Sequence, residues 1–247
     1  MIGKKLAIKN AEISVISEKP FPRDKLIVGF MGSAGKEKDN NGDEFEPNGH
    51  HKERGELIGK IVAKEEAILS NGAAWGIPYY PMRGANQNDG YTLGISPYPN
   101  AQAHKQKSPI KHLDLILYTG IECDLDISFD FIQRDAINTL YPDVVISDGG
   151  RWGSLDECAQ VLEQGRIYIP IRGTGGATDL LIYAIENKLI VKNHGAKVII
   201  AEDTPESLEK SIKDGLAEAK RRRIAQGRTQ NLFSHVVDEL EKVMGVR

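Results

Sequence analysis

The feature of this sequence that most constrains its fold is a repeated alternation of short apolar runs with stretches of helical spacing. The runs "KLIVGFM" (25–31), "DVVIS" (143–147) and "RIYIPI" (166–171) have the length and continuity of strands buried on both faces of a parallel sheet. Glycines stand where such a strand gives way to a helix. This order predicts an α/β fold, a Rossmann-like doubly wound parallel sheet with helices on both faces.

The remaining elements complete the predicted alternation. Further strands are predicted at 67–70, 91–95, 113–119 and 196–201, and helices at 53–65, 127–140, 154–165, from the 173–176 turn to about 187, at 205–224 and at 229–244. Two prolines interrupt any regular helix over 76–88, and 97–111 is predicted to be a loop. Residues 1–247 are interpreted as a single domain, with 1–24 as an N-terminal extension and 205–247 as C-terminal helices.

Composition argues against several classes of protein. The net charge of −3 gives no electrostatic case for binding nucleic acid or a membrane surface. No stretch approaches the roughly 20 apolar residues of a membrane span. Cys123 and Cys158 form no CxxC pair and are typical of reduced thiols. The start has no signal-peptide pattern, so a cytoplasmic location is predicted.

Three glycine-rich turns follow predicted strands, at 32–35, 149–153 and 173–176. Backbone N–H groups in such turns, and at the start of the helices after them, suit a phosphate. Any α/β fold also needs tight connections, so one such turn alone is equally well explained as structural. Three turns on the same sheet edge favour an anion site.

"SLDE" (154–157) allows two interpretations. Ser154 and Glu157 have the S-x-x-E spacing of a capping box, in which the glutamate caps its own helix and contributes about 1 kcal/mol. The helical wheel also places Glu157 at the edge of the apolar stripe, beside the glycine turn, where a partly shielded carboxylate can meet a ligand's sugar. The sequence leaves both roles open.

Several motifs together resemble one known family. They are "VGFMGS" (28–33), "SNGAAWG" (70–76) with "GISP" (94–97), "IQRDAI" around Arg134, and residues 149–157, which align without a gap on P-G-G-x-G-T-x-x-E. The chain resembles the family once named for lysine decarboxylase, which includes the lonely-guy-type cytokinin-activating phosphoribohydrolases. "GTGGATDL" (173–180) and "AEDTPES" (201–207) are more similar to relatives that carry molybdenum cofactor.

The resemblance implies a set of site residues and a homodimer. Glu157 and Arg134 match the catalytic pair of the hydrolases. The residues expected to bind phosphate or nucleotide are Gly32, Ser33, Gly72, Gly149, Gly150, Arg151, Gly153, Ser154, Gly173, Thr174, Gly175 and Gly176. Lysine decarboxylation is rejected, because the sequence offers no lysine positioned for pyridoxal phosphate.

The chain departs from the family motif most strongly at Arg151, which replaces a glycine. The arginine either binds an extra phosphate or carboxylate of a larger ligand or blocks the hydrolase pocket. Asp148 would disfavour phosphate unless it is paired, and Asp148 and Arg151 are predicted to neutralise each other. His50 and His51 lack the spacing of metal ligands and are interpreted as solvated surface, so no metal is predicted.

The sequence thus favours a nucleotide-binding protein that holds a phosphorylated, nucleotide-like small molecule at the carboxyl ends of the strands. One alternative is a nucleoside 5′-monophosphate phosphoribohydrolase that cleaves the N-glycosidic bond. The other is a molybdenum cofactor carrier that does no chemistry. The expected ligand is accordingly a nucleoside monophosphate or a molybdopterin-type molecule, and nucleic acid is not expected as a partner.

Overall fold

The computed structural model describes residues 12–35, 50–120, 127–189 and 194–244. The predicted loop at 36–51 lies largely outside the described residues, as does Cys123. Eight strands occur in the described part of the chain: β1 Glu12–Val15, β2 Ile27–Gly32, β3 Ile68–Asn71, β4 Tyr91–Ser96, β5 Leu115–Tyr118, β6 Val144–Asp148, β7 Ile167–Pro170 and β8 Lys197–Val198.

The strands form one sheet in the order β1-β5-β4-β3-β2-β6-β7-β8. Strands β2 to β8 are parallel, and β1 pairs with β5 in the antiparallel direction. The chain winds outward from β2 to β5, then returns to the other side of β2 and winds outward from β6 to β8. The direction of winding therefore reverses between β2 and β6, which pair from Val28 and Val144 to Gly32 and Asp148.

Helices cover both faces of this sheet. They are α1 His51–Lys64, α2 Tyr79–Asn86, α3 Ala101–Lys107, α4 Ile127–Leu140, α5 Trp152–Glu163, α6 Gly176–Glu186, α7 Pro205–Ala225 and α8 Ser234–Met244. Side chains of α1, α2 and α7 pack in one cluster with Phe30 and Ile146, while α5 and α6 pack in another with Met31 and Val145. Phe30 and Met31 are neighbours on β2 and point to opposite faces of the sheet, so the two clusters lie on opposite faces. The sheet is therefore doubly wound, as predicted.

Three segments differ from the predicted elements. The region 97–111 contains α3, whose first turn is capped by Asn100, and Pro81 is accommodated in the first turn of α2, where a proline removes no intrahelical hydrogen bond. Part of the predicted N-terminal extension forms the edge strand β1. No helix in the described ranges is long and apolar enough to span a bilayer.

Candidate functional site

A cavity of about 420 Å³ opens where the winding of the sheet reverses, beyond the carboxyl ends of β2 and β6. Ligands of doubly wound folds bind in this crevice because the loops after the two strands diverge there. Its lining includes seven of the predicted site residues: Gly32, Ser33, Arg134, Arg151, Gly153, Ser154 and Glu157. Trp75, Tyr98 and Phe131 supply an aromatic wall.

Helix α5 begins at Trp152, earlier than the sequence predicted, so the capping-box interpretation is wrong. The N-cap is Arg151, which has extended backbone and makes no side-chain cap. Ser154 is consequently the third residue inside the helix and cannot cap it. Glu157 lies one turn further on and binds a side chain of α4 instead.

The first turn of α5 leaves three backbone donors unused. The first α5 N–H with a backbone partner is that of Leu155, which donates to the Arg151 carbonyl. Among the described residues, the N–H groups of Trp152, Gly153 and Ser154 donate to no acceptor. Because Gly153 and Ser154 line the cavity, their two donors and the positive end of the helix dipole lie at its wall.

Glu157 is 5% exposed, lines the cavity and contacts α4. Its Oε1 accepts a hydrogen bond of 2.8 Å from the Asn138 side-chain amide. Burial raises the pKa of Glu157, although the nearby charge of Arg134 and the Asn138 hydrogen bond oppose this. A carboxylate in such surroundings is stabilised by a positive charge that develops beside it.

Asp135 is a site residue that the sequence analysis missed. It is 5% exposed, lines the cavity and follows Arg134, whose Nε lies 2.8 Å from Asp135 Oδ1. This ion pair lacks the geometry of a hydrogen bond, so both atoms have no hydrogen-bond partner. Burial, together with the neighbouring Glu157, raises the pKa of Asp135 to about 8. The two carboxyl groups therefore share one proton at neutral pH.

Gly72 does not line the cavity but supports Arg134 from behind. A Cβ at Gly72 would lie 1.4 Å from Arg134 Nη1, so the guanidinium rests directly on the glycine backbone. The guanidinium also stacks on Phe131, with Cζ 5.5 Å from the ring centroid. The first glycine of "SNGAAWG", Gly72, is thus explained by a close approach of Arg134 to the backbone.

The turn at 173–176 lies outside the cavity lining, and two of its backbone donors are already used. The N–H groups of Gly173 and Gly175 donate to the carboxylate of Asp179 at 2.9 and 2.8 Å. The Thr174 hydroxyl accepts from the Gly149 N–H at 2.9 Å. The turn, including Gly176, packs behind the glycine loop, and its predicted contact with phosphate stays a prediction.

Gly149 and Gly150 form the sharp bend between β6 and α5 and are not themselves part of the lining. Both have positive φ, +61° and +104°, which favours glycine. Their carbonyls accept hydrogen bonds from the N–H groups of Thr178 and Ala177 in α6. These hydrogen bonds to α6 hold the bend in place, and the bend positions the start of α5 at the cavity.

Asp148 is neutralised by residues other than Arg151, which corrects the predicted pairing. The Arg54 guanidinium donates to both Asp148 oxygens at 2.8 and 2.9 Å, and His51 Nδ1 lies 2.8 Å from Oδ1. His51 is 1% exposed, so its interpretation as solvated surface is also wrong. Arg151 instead donates to the carbonyl of Ala34, another residue of the cavity lining, at 2.9 Å.

Comparison with known proteins decides the family. The model of the SLOG cluster4 family matches residues 25–209, about three quarters of the chain. The chain belongs to the SLOG cluster4 family. This confirms the resemblance to the lonely-guy-like superfamily. None of the curated proteins compared with the chain matches it.

Several solved structures share the fold of this chain. The molybdenum cofactor binding protein of Rippkaea orientalis is 25% identical, with 77% of this chain and 96% of that chain covered and a TM-score of 0.56. The molybdenum cofactor carrier protein of Chlamydomonas reinhardtii is 21% identical, covering 78% and 99%, with a TM-score of 0.54. DNA processing protein A of Streptococcus pneumoniae is 20% identical, covering 77% and 61%, with a TM-score of 0.55.

Proposed function

We propose that this SLOG cluster4 protein binds a phosphorylated, nucleotide-like small molecule in the cavity between β2 and β6. The observation that carries the proposal is the set of unused N–H donors of Trp152, Gly153 and Ser154 at the start of α5. A phosphate accepts hydrogen bonds from such donors and is stabilised by the helix dipole. The Ser33 and Ser154 side chains add hydroxyl groups to the cavity lining.

The rest of the cavity fits the other parts of a nucleotide. Trp75, Tyr98 and Phe131 line the cavity and offer aromatic surface for a planar heterocycle. The buried carboxyl groups of Asp135 and Glu157 line the same cavity and can accept hydrogen bonds from sugar hydroxyls. Cavities of this size hold small ligands. A net charge of −3 supports a small molecule as partner rather than a nucleic acid.

Two substitutions of Ser154 that are isosteric with each other test the position of the phosphate. Ser154→Asp places a negative charge in the first turn of α5, where it favours the helix but repels phosphate. Ser154→Asn has nearly the same shape without the charge. Calorimetric titration with AMP, GMP, CMP and UMP is expected to give at least one dissociation constant below 1 mM, and the Asp variant is expected to bind that nucleotide at least about tenfold more weakly than the Asn variant. Equal affinities in the two variants would rule out phosphate at α5.

N-glycosidic hydrolysis is the second candidate, and the Glu157 environment favours it. Cleavage of this bond builds positive charge on the ribose, and a buried carboxylate stabilises that charge. Arg134 provides a cation beside the carboxyl pair, and Asn138 fixes the orientation of Glu157. The protonated partner of the pair supplies an acid for the departing base.

Incubation with the same nucleoside monophosphates, followed for free base, tests this second function. Turnover that falls at least about 10²-fold in Glu157→Gln, with binding kept, supports hydrolysis. Binding of a nucleotide without release of free base in the parent protein would rule out hydrolysis and leave ligand binding as the proposed function.

A molybdopterin-type ligand also carries a phosphate. Two structural neighbours are named for molybdenum cofactor, so molybdopterin belongs in the binding panel.

A homodimer is proposed from exposed apolar side chains beside the site. Trp152 of α5 is 84% exposed, and Leu180 and Tyr183 of α6 are 53% and 59% exposed. Helices α5 and α6 pack side by side, so these side chains present apolar area on one face of the molecule. The single-domain organisation and the cytoplasmic location stay predictions.

A further inference from the structure

Trp75 is held in a fixed position beside the cavity. Its loop is closed by the buried Asn71 side chain, which accepts from the Ala73 N–H at 2.9 Å and donates to the Pro78 carbonyl at 2.6 Å. The Trp75 carbonyl in turn accepts a hydrogen bond of 2.9 Å from the Gly35 N–H. Because the backbone around Trp75 is already fixed, a ligand that stacks on the indole loses little affinity to the ordering of the loop.

The indole of Trp75 also packs on a second aromatic ring. The ring centroids of Trp75 and Tyr79 are 4.8 Å apart, with an angle of 43° between the planes. Tyr79 is buried, and the Arg83 guanidinium carbon lies 5.7 Å from its ring centroid. Arg83 is in turn held by an ion pair with Glu56. The half-buried indole therefore packs on a fixed ring and at the same time lines the cavity.

Tyr98 and Phe131, which also line the cavity, cannot both stack on one planar ligand. Their rings meet edge to face with 77° between the planes, so a heterocycle parallel to one ring is nearly perpendicular to the other. The Arg134 guanidinium already lies over Phe131. Among the aromatic residues that the structure shows in the lining, Trp75 has the largest ring system, and stacking on it does not compete with the contact between Arg134 and Phe131.

Trp75 is connected to the start of α5 through Ala34. Ala34 forms an antiparallel bridge with Gly76, the residue that follows Trp75. The Ala34 carbonyl also accepts the hydrogen bond from Arg151, the N-cap of α5. Since Trp75, Ala34 and the first turn of α5 line the same cavity, one small ligand can contact the indole and the α5 donors together.

We propose that Trp75 determines ligand choice, because a fused two-ring heterocycle, as in a purine or a pterin, stacks on its indole in preference to a pyrimidine. This inference rests on the proposed function, since the phosphate of the same ligand is placed on the α5 donors. Stacking is strengthened by ring overlap, and two fused rings cover an indole more completely than one ring does. Stacking alone needs no hydrogen bond to the ring edge, so it selects for ring size and not for one particular base.

Calorimetric titration with three kinds of phosphate ester tests this assignment. AMP, GMP and neopterin phosphate carry two fused rings, CMP and UMP carry one ring, and ribose 5-phosphate carries no heterocycle. We expect the parent protein to bind at least one two-ring ligand at least about fivefold more tightly than CMP and UMP. Trp75→Leu is expected to bring that ratio to within about twofold of unity, and to change the dissociation constant of ribose 5-phosphate by less than about twofold.

Trp75→Phe is the matched second variant, because it keeps an aromatic ring beside Tyr79. Its preference for two rings is expected to lie between those of the parent and of Trp75→Leu. The chain contains two tryptophans, Trp75 and Trp152, so indole fluorescence is an independent readout. A saturating two-ring ligand should quench the parent protein more strongly than Trp75→Leu, in which only Trp152 emits. A cooperative thermal melt of each variant shows that it is folded.

The outcomes separate this inference from the proposed function. If CMP and UMP bind as tightly as the two-ring ligands, or if Trp75→Leu keeps the preference, Trp75 does not determine ligand choice, while phosphate binding at α5 stands. If ribose 5-phosphate binds as tightly as every nucleotide, the heterocycle has no site in the cavity and the inference is again refuted. If none of these phosphate esters binds, the proposed function itself fails.

Discussion

At the scale of single residues, the site depends on one proton held between Asp135 and Glu157. Both carboxyl groups are buried, and they face the same cavity beside one buried arginine. Ionising both would place two buried negative charges beside one buried arginine, Arg134. The pair therefore binds one proton well above the pH at which a free carboxyl group loses it.

Asp135→Asn is expected to change how stability depends on pH. The folded pKa of Asp135, about 8, is above the unfolded value of 3.8, so folding is favoured at low pH and this contribution is lost as pH rises from about 4 to 8. Asparagine does not titrate. The variant should match the parent near pH 4 and exceed it at pH 8 by on the order of 1–3 kcal/mol in urea unfolding. A difference that stays constant with pH would contradict the shared proton.

Gly72 allows a double-mutant cycle on Arg134. Gly72→Ala pushes a methyl group into the guanidinium and should lower the free energy of unfolding by about 1–3 kcal/mol. In an Arg134→Ala background the same substitution meets no side chain, so its effect should fall close to zero. Additive effects in thermal or urea unfolding would show that the glycine is needed for another reason.

Part of this chemistry could be predicted from the sequence. The rest depends on contacts between segments that are distant in the chain. Glu157 and Arg134 could be found because a motif marks them. Asp135 could not, since its role depends on α4 facing α5, a contact between helices that no local pattern encodes. His51 was misread for the same reason, because its burial follows from a partner about a hundred residues away on β6.

At the scale of elements, a buried ionic cluster joins α1 to the end of β6 and to the segment before α7. Asp148 is fully buried and receives two hydrogen bonds from Arg54, which also donates to Asp203. His51 contacts the same carboxylate and lies behind Gly149. The cluster removes negative charge from the edge of the phosphate site and holds the bend that aims α5.

Arg54→Ala is expected to destabilise the protein strongly. It leaves the Asp148 carboxylate buried without its main partner, which reduces the free energy of unfolding by about 3–5 kcal/mol. Adding Asp148→Asn should recover part of that loss, because the uncompensated charge is removed. Lys210→Ala breaks an exposed pair with Asp214 and should change stability by less than about 1 kcal/mol. An effect of Arg54→Ala as small as that of Lys210→Ala would contradict the role given to the cluster.

The strands were predictable and the short helices were not. A parallel strand covered on both faces is mostly apolar, as β2 is throughout and β6 is from Val144 to Ile146, so its signal is local. Helix α3 has only seven residues and is mostly polar, so its sequence has no apolar period. The start of α5 was placed late because Arg151 caps it with backbone conformation and not with a side chain.

At the scale of the whole molecule, the apolar face of α5 and α6 predicts a dimer. The parent is expected to elute at twice the chain mass of 27.3 kDa in size-exclusion chromatography with light scattering. Combining Leu180→Asp with Tyr183→Asp should yield the monomer mass, because two charges cannot be buried unpaired in an interface. Ile224→Asp, at a 69% exposed position of α7, should leave the dimer intact. A monomeric parent, or a double variant that stays dimeric, would refute this face as the interface.

The reversal of winding between β2 and β6 explains why the site lies where it does. The β2 loop, the β6 bend and the start of α5 meet at this point of the sheet, and every α5 donor proposed for the phosphate comes from there. The most direct measurement is a crystal structure with the tightest-binding nucleotide. The phosphate oxygens are predicted to lie within about 3.2 Å of the backbone nitrogens of Gly153 and Ser154. A phosphate seated at the 173–176 turn, or anywhere away from the start of α5, would contradict the account.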